Sequence, residues 1–341
     1  MDIFAAQKLI GDDIIETMFE RYKIVEYIKS HQPAGRRRIA ENLNIPERQI
    51  RNHLNYLIQK KILDFDNRGV ILNSEAEDIT PFLDDFFSKI YSSYERETTL
   101  AQMLGIKNVI IAKGDCDVDP SAVNNLGFAA ENYFIDNLEK RGGVIAVSGG
   151  ASLKAFTDNL ISVPRPNYIV VPVRGAIGVS HSYQANTIAL HTSLKLKCNA
   201  YQLNIPDTMD SALIKSLVNH PDIKAVTACY ERADILLFGI GRSDSLSKFR
   251  NLNQSEIEFL EENGCDAEVV GYYLNSFGEV IKKSTGIGMK LSDLRRIPTK
   301  IAIGGGSSKV RAVKALCSFM QDITLITDEG CASALLNNKL F

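Results

Sequence analysis

Apolar side chains recur at helical spacing between Ile10 and Ile28, at Ile14, Ile15, Met18, Tyr22, Val25 and Ile28. The chain is therefore expected to open on an amphipathic helix. His31-Gln32-Pro33-Ala34-Gly35 breaks it, and a short helix follows from about Arg37 to Leu43 with Ile39, Ala40 and Leu43 inward. Asn44-Ile45-Pro46 is the next turn. Pro46 suits a first helical position and Glu47 the positive end of the helix dipole, so a further helix is predicted from Pro46 to about Lys60. Its inward face carries Ile50, His53 or Leu54, Leu57 and Ile58, and its outward face Arg48, Gln49, Arg51, Asn52 and Asn55. Ile62 to Phe65 and Val70 to Leu72 bracket Asp66-Asn67-Arg68-Gly69, the pattern of a β-hairpin. Helix, short helix, turn, helix and hairpin within residues 1–75 spell a winged helix-turn-helix. Ser74 to Leu104 reads as an amphipathic linker helix. Phe82, Phe86, Phe87, Ile90, Tyr91 and Tyr94 alternate there with Asp84, Asp85, Lys89 and Glu95, a face suited to subunit contact or, alternatively, to packing onto its own chain. The expected divisions are 1–75, 76–105 and 106–341.

Beyond Asn108 the pattern changes to short continuous apolar runs alternating with helical segments. Strands are predicted at Val109–Ala112, Val144–Val147, Tyr168–Val173, Lys197–Leu203, Ile235–Gly239, Val269–Leu274, Lys300–Gly304 and Ile323–Thr327. Helices are predicted at Pro120–Lys140, Ala151–Leu160, Ser182–Lys195, Ser211–Asn219, Asn253–Glu262, Leu291–Arg296 and Lys309–Met320. Uninterrupted Val/Ile strands between helices indicate an α/β domain built on a mostly parallel sheet covered on both faces, Rossmann-like in class.

Charge sharpens the N-terminal reading. The 341-residue chain is nearly neutral, at −2. Arg21 to Lys61 nevertheless holds ten Lys/Arg against Glu26, Glu41 and Glu47, a local charge of +7. A basic block within a neutral chain marks a nucleic-acid-binding module. Arg48, Gln49, Arg51, Asn52 and Asn55 carry the donors that read guanine and adenine edges in the major groove. Arg36, Arg37, Arg38, Lys60 and Lys61 are placed to clamp phosphates, the wing-tip Arg68 to reach an adjacent groove or the backbone, and His53 to pack or touch phosphate.

Composition excludes other classes. With 45% apolar and 23% charged residues the chain has globular proportions. No apolar run reaches membrane-spanning length, and the N-terminus lacks a signal-peptide pattern. The six cysteines, Cys116, Cys198, Cys229, Cys265, Cys317 and Cys331, lie far apart and fit a reduced, cytoplasmic protein with no metal centre.

The chemistry of the larger domain is expected at the carboxyl ends of its strands. Ser148-Gly149-Gly150-Ala151-Ser152-Leu153 follows one strand and opens a helix. Gly304-Gly305-Gly306-Ser307-Ser308-Lys309 does the same after another. Free backbone N–H groups, hydroxyls and a lysine at a helix N-terminus form an anion cradle, most often for phosphate. Neither loop is a P-loop, and there is no GxGxxG. Arg174, Gln184, Arg242, Arg250 and Glu268 add cations, amide and acceptor near other strand ends, the set a sugar phosphate needs. Gly114-Asp115-Cys116-Asp117-Val118-Asp119-Pro120 reads as a strand-to-helix connection and not as a calcium loop. None of the five histidines sits in a catalytic signature. Glu268 and His181 are the only general-base and general-acid candidates, and nothing pairs them.

A winged helix-turn-helix followed by such a domain resembles the SorC family of bacterial transcription regulators. Gly35-Arg36-Arg37 with Asn44-Ile45-Pro46-Glu47-Arg48, Val147-Ser148-Gly149-Gly150, Gly305-Gly306-Ser307-Ser308-Lys309 and Thr327-Asp328-Glu329-Gly330 resemble the branch that represses glycolytic genes. The resemblance covers essentially the whole chain. It implies an effector domain folded like sugar-phosphate isomerases and deaminases with catalysis lost. It also implies an operator-binding homo-oligomer, dimer or tetramer, released by fructose 1,6-bisphosphate or a related sugar phosphate. It places that ligand against Gly149, Gly150, Ala151 and Ser152 at one loop and Lys309 at the other, with Arg174, Gln184, Arg250 and Glu268 completing the pocket. Relatives tend to carry Thr-Thr where this chain has Ala151-Ser152. The missing hydroxyl removes a hydrogen bond worth about 1.5–3 kcal/mol to a charged group. An activator, another effector, or a sugar-phosphate isomerase or deaminase with an accessory DNA-binding domain are the alternatives.

Overall fold

The computed structural model describes residues 3–73, 76, 82–83, 95–176, 182–207, 209–243 and 252–337. Arg250, His181 and most of the expected linker helix lie outside the described residues. The chain divides into two units, Met1–Glu95 and Arg96–Phe341.

The first unit begins with α1 (Ile3–His31), kinked at Gly11, followed by α2 (Arg36–Leu43) and α3 (Glu47–Gln59). Strands β1 (Leu63–Asp66) and β2 (Gly69–Leu72) pair antiparallel, Leu63 opposite Leu72. Ala34 adds a bridge to Val70, so the hairpin is tied to the segment between α1 and α2. Ile24, Val25, Ile28, Ile39, Ile50, Leu54, Leu57, Leu63 and Val70 form one buried cluster. His53 and Leu54 are both inward. The upstream part of the α1 stripe is different: Ile14 and Met18 are exposed.

The second unit starts within a helix, α4, at 95–104. Its Leu100 and Leu104 join the core of this unit. The seven-stranded sheet runs β3 (Asn108–Ala112), β13 (Thr324–Asp328), β12 (Thr299–Ile303), β7 (Ile235–Gly239), β4 (Gly143–Val147), β5 (Tyr168–Pro172), β6 (Asn199–Ala200), and every pairing is parallel. Alternate residues of each strand feed opposite cores. Val144, Ala146, Leu236, Phe238 and Ala302 pack on one side. Ile145, Val147, Ile235, Leu237, Ile301 and Ile303 pack on the other. Burial on both faces is why these strands read as unbroken apolar runs. The chain moves outward from β4 to β5 and β6, then returns to lay β7 on the other side of β4. The strand order therefore reverses between β4 and β7, where open α/β sheets take their ligands.

Three sequence expectations are corrected. Val269–Leu274 is not one strand. Val270 adopts φ 51° and Gly271 φ 88°, which turns the chain between β9 (Cys265–Val269) and β10 (Tyr272–Asn275). With β8 (Gly241–Arg242) and β11 (Val280–Lys283) they form a separate four-stranded sheet, antiparallel throughout. The strand expected at Lys197–Leu203 is regular only at Asn199–Ala200, on the sheet edge. Helix α5 runs Ala122–Asp136, shorter at both ends than expected.

Candidate functional site

The residues expected to read DNA are carried on α3. Pro46 accepts from the Gln49 and Ile50 N–H groups and starts the helix, with Glu47 in its first turn. Arg48, Arg51, Asn52 and Asn55 are exposed along one side, and Arg37 and Arg38 are exposed on α2. Gln49 is placed differently: its amide donates to Glu20 of α1 at 2.8 Å. The same Glu20 oxygen lies 2.8 Å from Nε2 of the buried His53. Gln49 and His53 thus fix α3 against α1, and His53 packs without reaching the surface. Arg21 stacks over the Tyr56 ring at 3.6 Å. Arg68 stands exposed at the wing tip.

In the second unit, the loop after β4 leads into α6 (Ala151–Asn159) through Gly150, at φ 126°. Ser148 is buried; its hydroxyl accepts from the Gly239 N–H at 3.0 Å, joining the end of β4 to the end of β7. Gly150 N–H donates to the Tyr183 carbonyl at 2.9 Å. A Cβ at Gly149 would collide with that same carbonyl. Only glycine lets this loop lie against Tyr183 and Gln184, the residues that open α7 (Ala185–Leu196). Gly149, Gly150, Ser152 and the buried Gln184 are therefore brought together, with Ala151 exposed at the first helical position.

The second loop follows β12 and enters a 3₁₀ turn, Ser307–Lys309, that continues into α12 (Val310–Phe319). Strands β4 and β12 flank β7, so the two loops lie two strand spacings apart, about 10 Å. The second loop is held by Asp328, fully buried at the end of β13. Its Oδ2 accepts from Gly306 N–H at 2.7 Å and Cys116 N–H at 2.8 Å, and its Oδ1 accepts from Cys331 N–H at 2.9 Å. Asp117, from the loop between β3 and α5, lies on the donors of this cradle. It accepts from Ser308 N–H at 2.6 Å, Ser308 Oγ at 3.0 Å and Ser307 Oγ at 3.3 Å. Desolvation of the carboxylate would raise its pKa, but the bonds from Ser308 and Ser307 and the charge of Arg242 outweigh that and hold it below the usual value. Lys309 lies among Cys331, Cys116, Asp117 and Asp328, on the β3–β13 side of the loop. Burial draws its pKa down against the raising pull of those neighbours.

Arg174, just past β5, is buried and differs from the free cation that its place at a strand end suggests. Its guanidinium pairs with Asp207 through Nε, at 2.6 Å, and through a second nitrogen. The third nitrogen donates to Glu268 at 2.8 Å. Ser284 lies at 3.3 Å. Burial would lower the guanidinium pKa; Glu268 and Asp207 override burial and hold it above the ordinary value. Glu268 lies within β9 and also accepts from Gly271 N–H at 2.6 Å. Arg174 and Glu268, each expected as a ligand-pocket residue, are thus brought together in an internal ion network. It ties the end of β5 to the turn between β9 and β10.

Sequence reasoning did not single out Asp117, Asp207 or Glu20 as site residues. Each acts on a partner 29 to 191 positions away, and no local pattern announces that. Burial, with Asp328 adding to it, pushes the Cys116 thiol up to about 12, and burial pushes the Cys317 thiol up to about 12. Among the described residues no metal-binding cluster occurs, and no helix is long and apolar enough to cross a membrane.

Comparison with known proteins adds the family. Residues 88–337 match the family described as "Putative sugar-binding domain", and residues 17–87 match the CggR N-terminal DNA binding domain. The chain is 30% identical over 337 residues to a central glycolytic genes regulator of Priestia megaterium, covering 98% of each. It is 30% identical over 338 residues to one of Bacillus subtilis, covering 99% of each. A solved structure described as a "putative SorC family transcriptional regulator" from Enterococcus faecalis is 29% identical, covers 71% of this chain and 100% of that one, and superposes with a TM-score of 0.67. The full-length sorbitol operon regulator of Klebsiella pneumoniae shares the fold at 19% identity, covers 93% of this chain and 98% of its own, and has a TM-score of 0.66. All of these relatives are described as regulators. The chain belongs to the SorC family of transcriptional regulators, joining a DNA-binding domain to a sugar-binding domain.

Proposed function

We propose that the protein is a cytoplasmic repressor of glycolytic genes whose operator affinity is lowered by a phosphorylated sugar, most simply fructose 1,6-bisphosphate. The observation that carries this reading is the pair of glycine-rich loops about 10 Å apart across β7, each opening a helix, the first of them beside the topological switch between β4 and β7. A hexose bearing a phosphate at each end suits two anion cradles so separated. Gly149, Gly150, Ala151, Ser152 and Gln184 serve one phosphate, and Ser307, Ser308 and Lys309 serve the other. Arg250 completes the pocket, with Glu268 beside the sugar hydroxyls and Arg174 positioning Glu268. In the first unit, Arg48, Arg51, Asn52 and Asn55 read bases, and Arg37 and Arg38 grip phosphates. Homo-oligomerisation supplies two-fold half-sites. For release to work the ligand must bind the low-affinity form better, typically by about 1–3 kcal/mol.

A thermal-shift series on the full chain tests the effector. Fructose 1,6-bisphosphate, fructose 6-phosphate, glucose 6-phosphate, dihydroxyacetone phosphate, ribose 5-phosphate and inorganic phosphate are compared. At about 100 times its dissociation constant the true ligand adds about 2.7 kcal/mol of stability. Lys309→Ala is expected to abolish the response while operator binding persists. A larger shift with a different sugar phosphate reassigns the pathway, and turnover of any of them overturns the regulator-only reading.

A further inference from the structure

Asp117 takes up the donors of the second glycine-rich loop, the loop proposed above to hold a phosphate. Its carboxylate takes the Ser308 N–H and both serine hydroxyls at the opening of α12. The approach is so close that a Cβ at Gly306 would stand 2.7 Å from Asp117 Oδ1. Gly306, at φ 99°, leaves the space the carboxylate uses. The loop that delivers Asp117 is itself pinned. Cys116 N–H is held by Asp328, and Asp115 Oδ1 accepts from Asp117 N–H at 2.9 Å. Arg242 faces the carboxylate with opposite charge. The first cradle differs: no carboxylate bonds to the Gly149–Ser152 segment among the described residues.

We propose that Asp117 is an internal competitor that occupies the second anion cradle in the unliganded protein and sets the discrimination between singly and doubly phosphorylated sugars. This rests on the reading of the two loops as phosphate sites. A monophosphate anchored at Gly149–Ser152 leaves Asp117 in place. A bisphosphate must displace it, and the affinity for the second phosphate is reduced by the cost of that displacement. The bisphosphate gains over a monophosphate only what its second phosphate wins beyond the bonds Asp117 already makes.

The test measures dissociation constants by calorimetry on the full chain, for wild type, Asp117→Ala and Asp117→Asn, with fructose 1,6-bisphosphate, fructose 6-phosphate and sulfate. Asp117→Asn keeps the shape without the charge, and unliganded melting curves check that each variant is folded. The expected result is that the bisphosphate-to-monophosphate preference rises about tenfold or more in Asp117→Ala, the factor carried by one charge-assisted hydrogen bond, and less in Asp117→Asn. Sulfate is expected to bind the emptied cradle. An unchanged or lower preference in both folded variants overturns the proposal and assigns Asp117 a purely structural bond. Sulfate binding to Asp117→Ala, with no sugar phosphate binding wild type, leaves the competitor standing and removes the effector reading. Failure of Asp117→Ala to bind any of the three anions overturns both.

Discussion

Replacing Arg174 by methionine keeps a long side chain and deletes every donor of the buried guanidinium. Asp207 and Glu268 have side chains only 6% and 9% exposed, and both would lose the cation that balances them. Removing one partner of a buried ion pair costs about 3–5 kcal/mol, because a charge is left without compensation. Arg174 belongs to the unit Arg96–Phe341. For a unit of that size each kcal/mol moves the melting temperature by about 2–4 °C. Arg174→Met is therefore expected to lower the melting transition of this unit by roughly 6–20 °C. Scanning calorimetry of the full chain reads it directly. The same argument sets a second arm. Arg174→Met combined with Asp207→Asn and Glu268→Gln removes the stranded charges with the cation, so it should recover much of the loss. A single variant melting within about 2 °C of wild type would refute the reasoning, which rests on the uncompensated buried charge. So would a triple variant less stable than the single. Lost sugar-phosphate binding with unchanged melting would move Arg174 from positioning Glu268 to contacting ligand.

Two further expectations concern other regions. Arg51→Ala or Asn52→Ala should relax base preference in selection from a random duplex pool, by about 1–3 kcal/mol at the position read, whereas Gln49→Ala should not, because its amide is committed to Glu20; a base preference lost with Gln49 alone would reverse that assignment. Glu131 is buried on α5, and burial, then the charge of Asp136, raise its carboxyl pKa. Between the unfolded value near ~4.3 and the raised folded value, only the folded chain keeps the proton. Stability therefore falls as pH rises through that window, and the penalty is complete above it. Glu131→Gln should gain melting temperature relative to wild type as pH goes from 4 to 8, and a difference that shrinks over that range would contradict the sign.

The legible parts of the molecule were those where local pattern and tertiary role coincide. The central strands are buried on both faces, so Val144–Val147 and Ile235–Gly239 announce themselves as apolar runs. The glycine loops announce themselves by following apolar strands, β4 and β12. The turn between β9 and β10 did not, because Val269-Val270-Gly271-Tyr272 continues the apolar run. A β-branched residue at φ 51° is a conformation that composition argues against. Asp117 was legible as a connection but not as an anion on Ser308, since that contact joins residues 191 apart. Arg174 was legible as a strand-end cation. That its charge is balanced inside the protein depends on Asp207, which the chain supplies from beyond β6.

Glu20 gives the DNA-reading helix a different kind of significance. One oxygen on α1 takes up both Gln49 and His53 of α3. Positions 20, 49 and 53 are therefore physically coupled: a change at 49 that frees it to read a base also releases a carboxylate beside His53. Libraries that alter operator preference by varying α3 alone would sample mostly misaligned helices. Libraries that vary position 20 together with 49 and 53 would sample new settings of the helix, each able to present Arg48, Arg51 and Asn52 to a different register of bases.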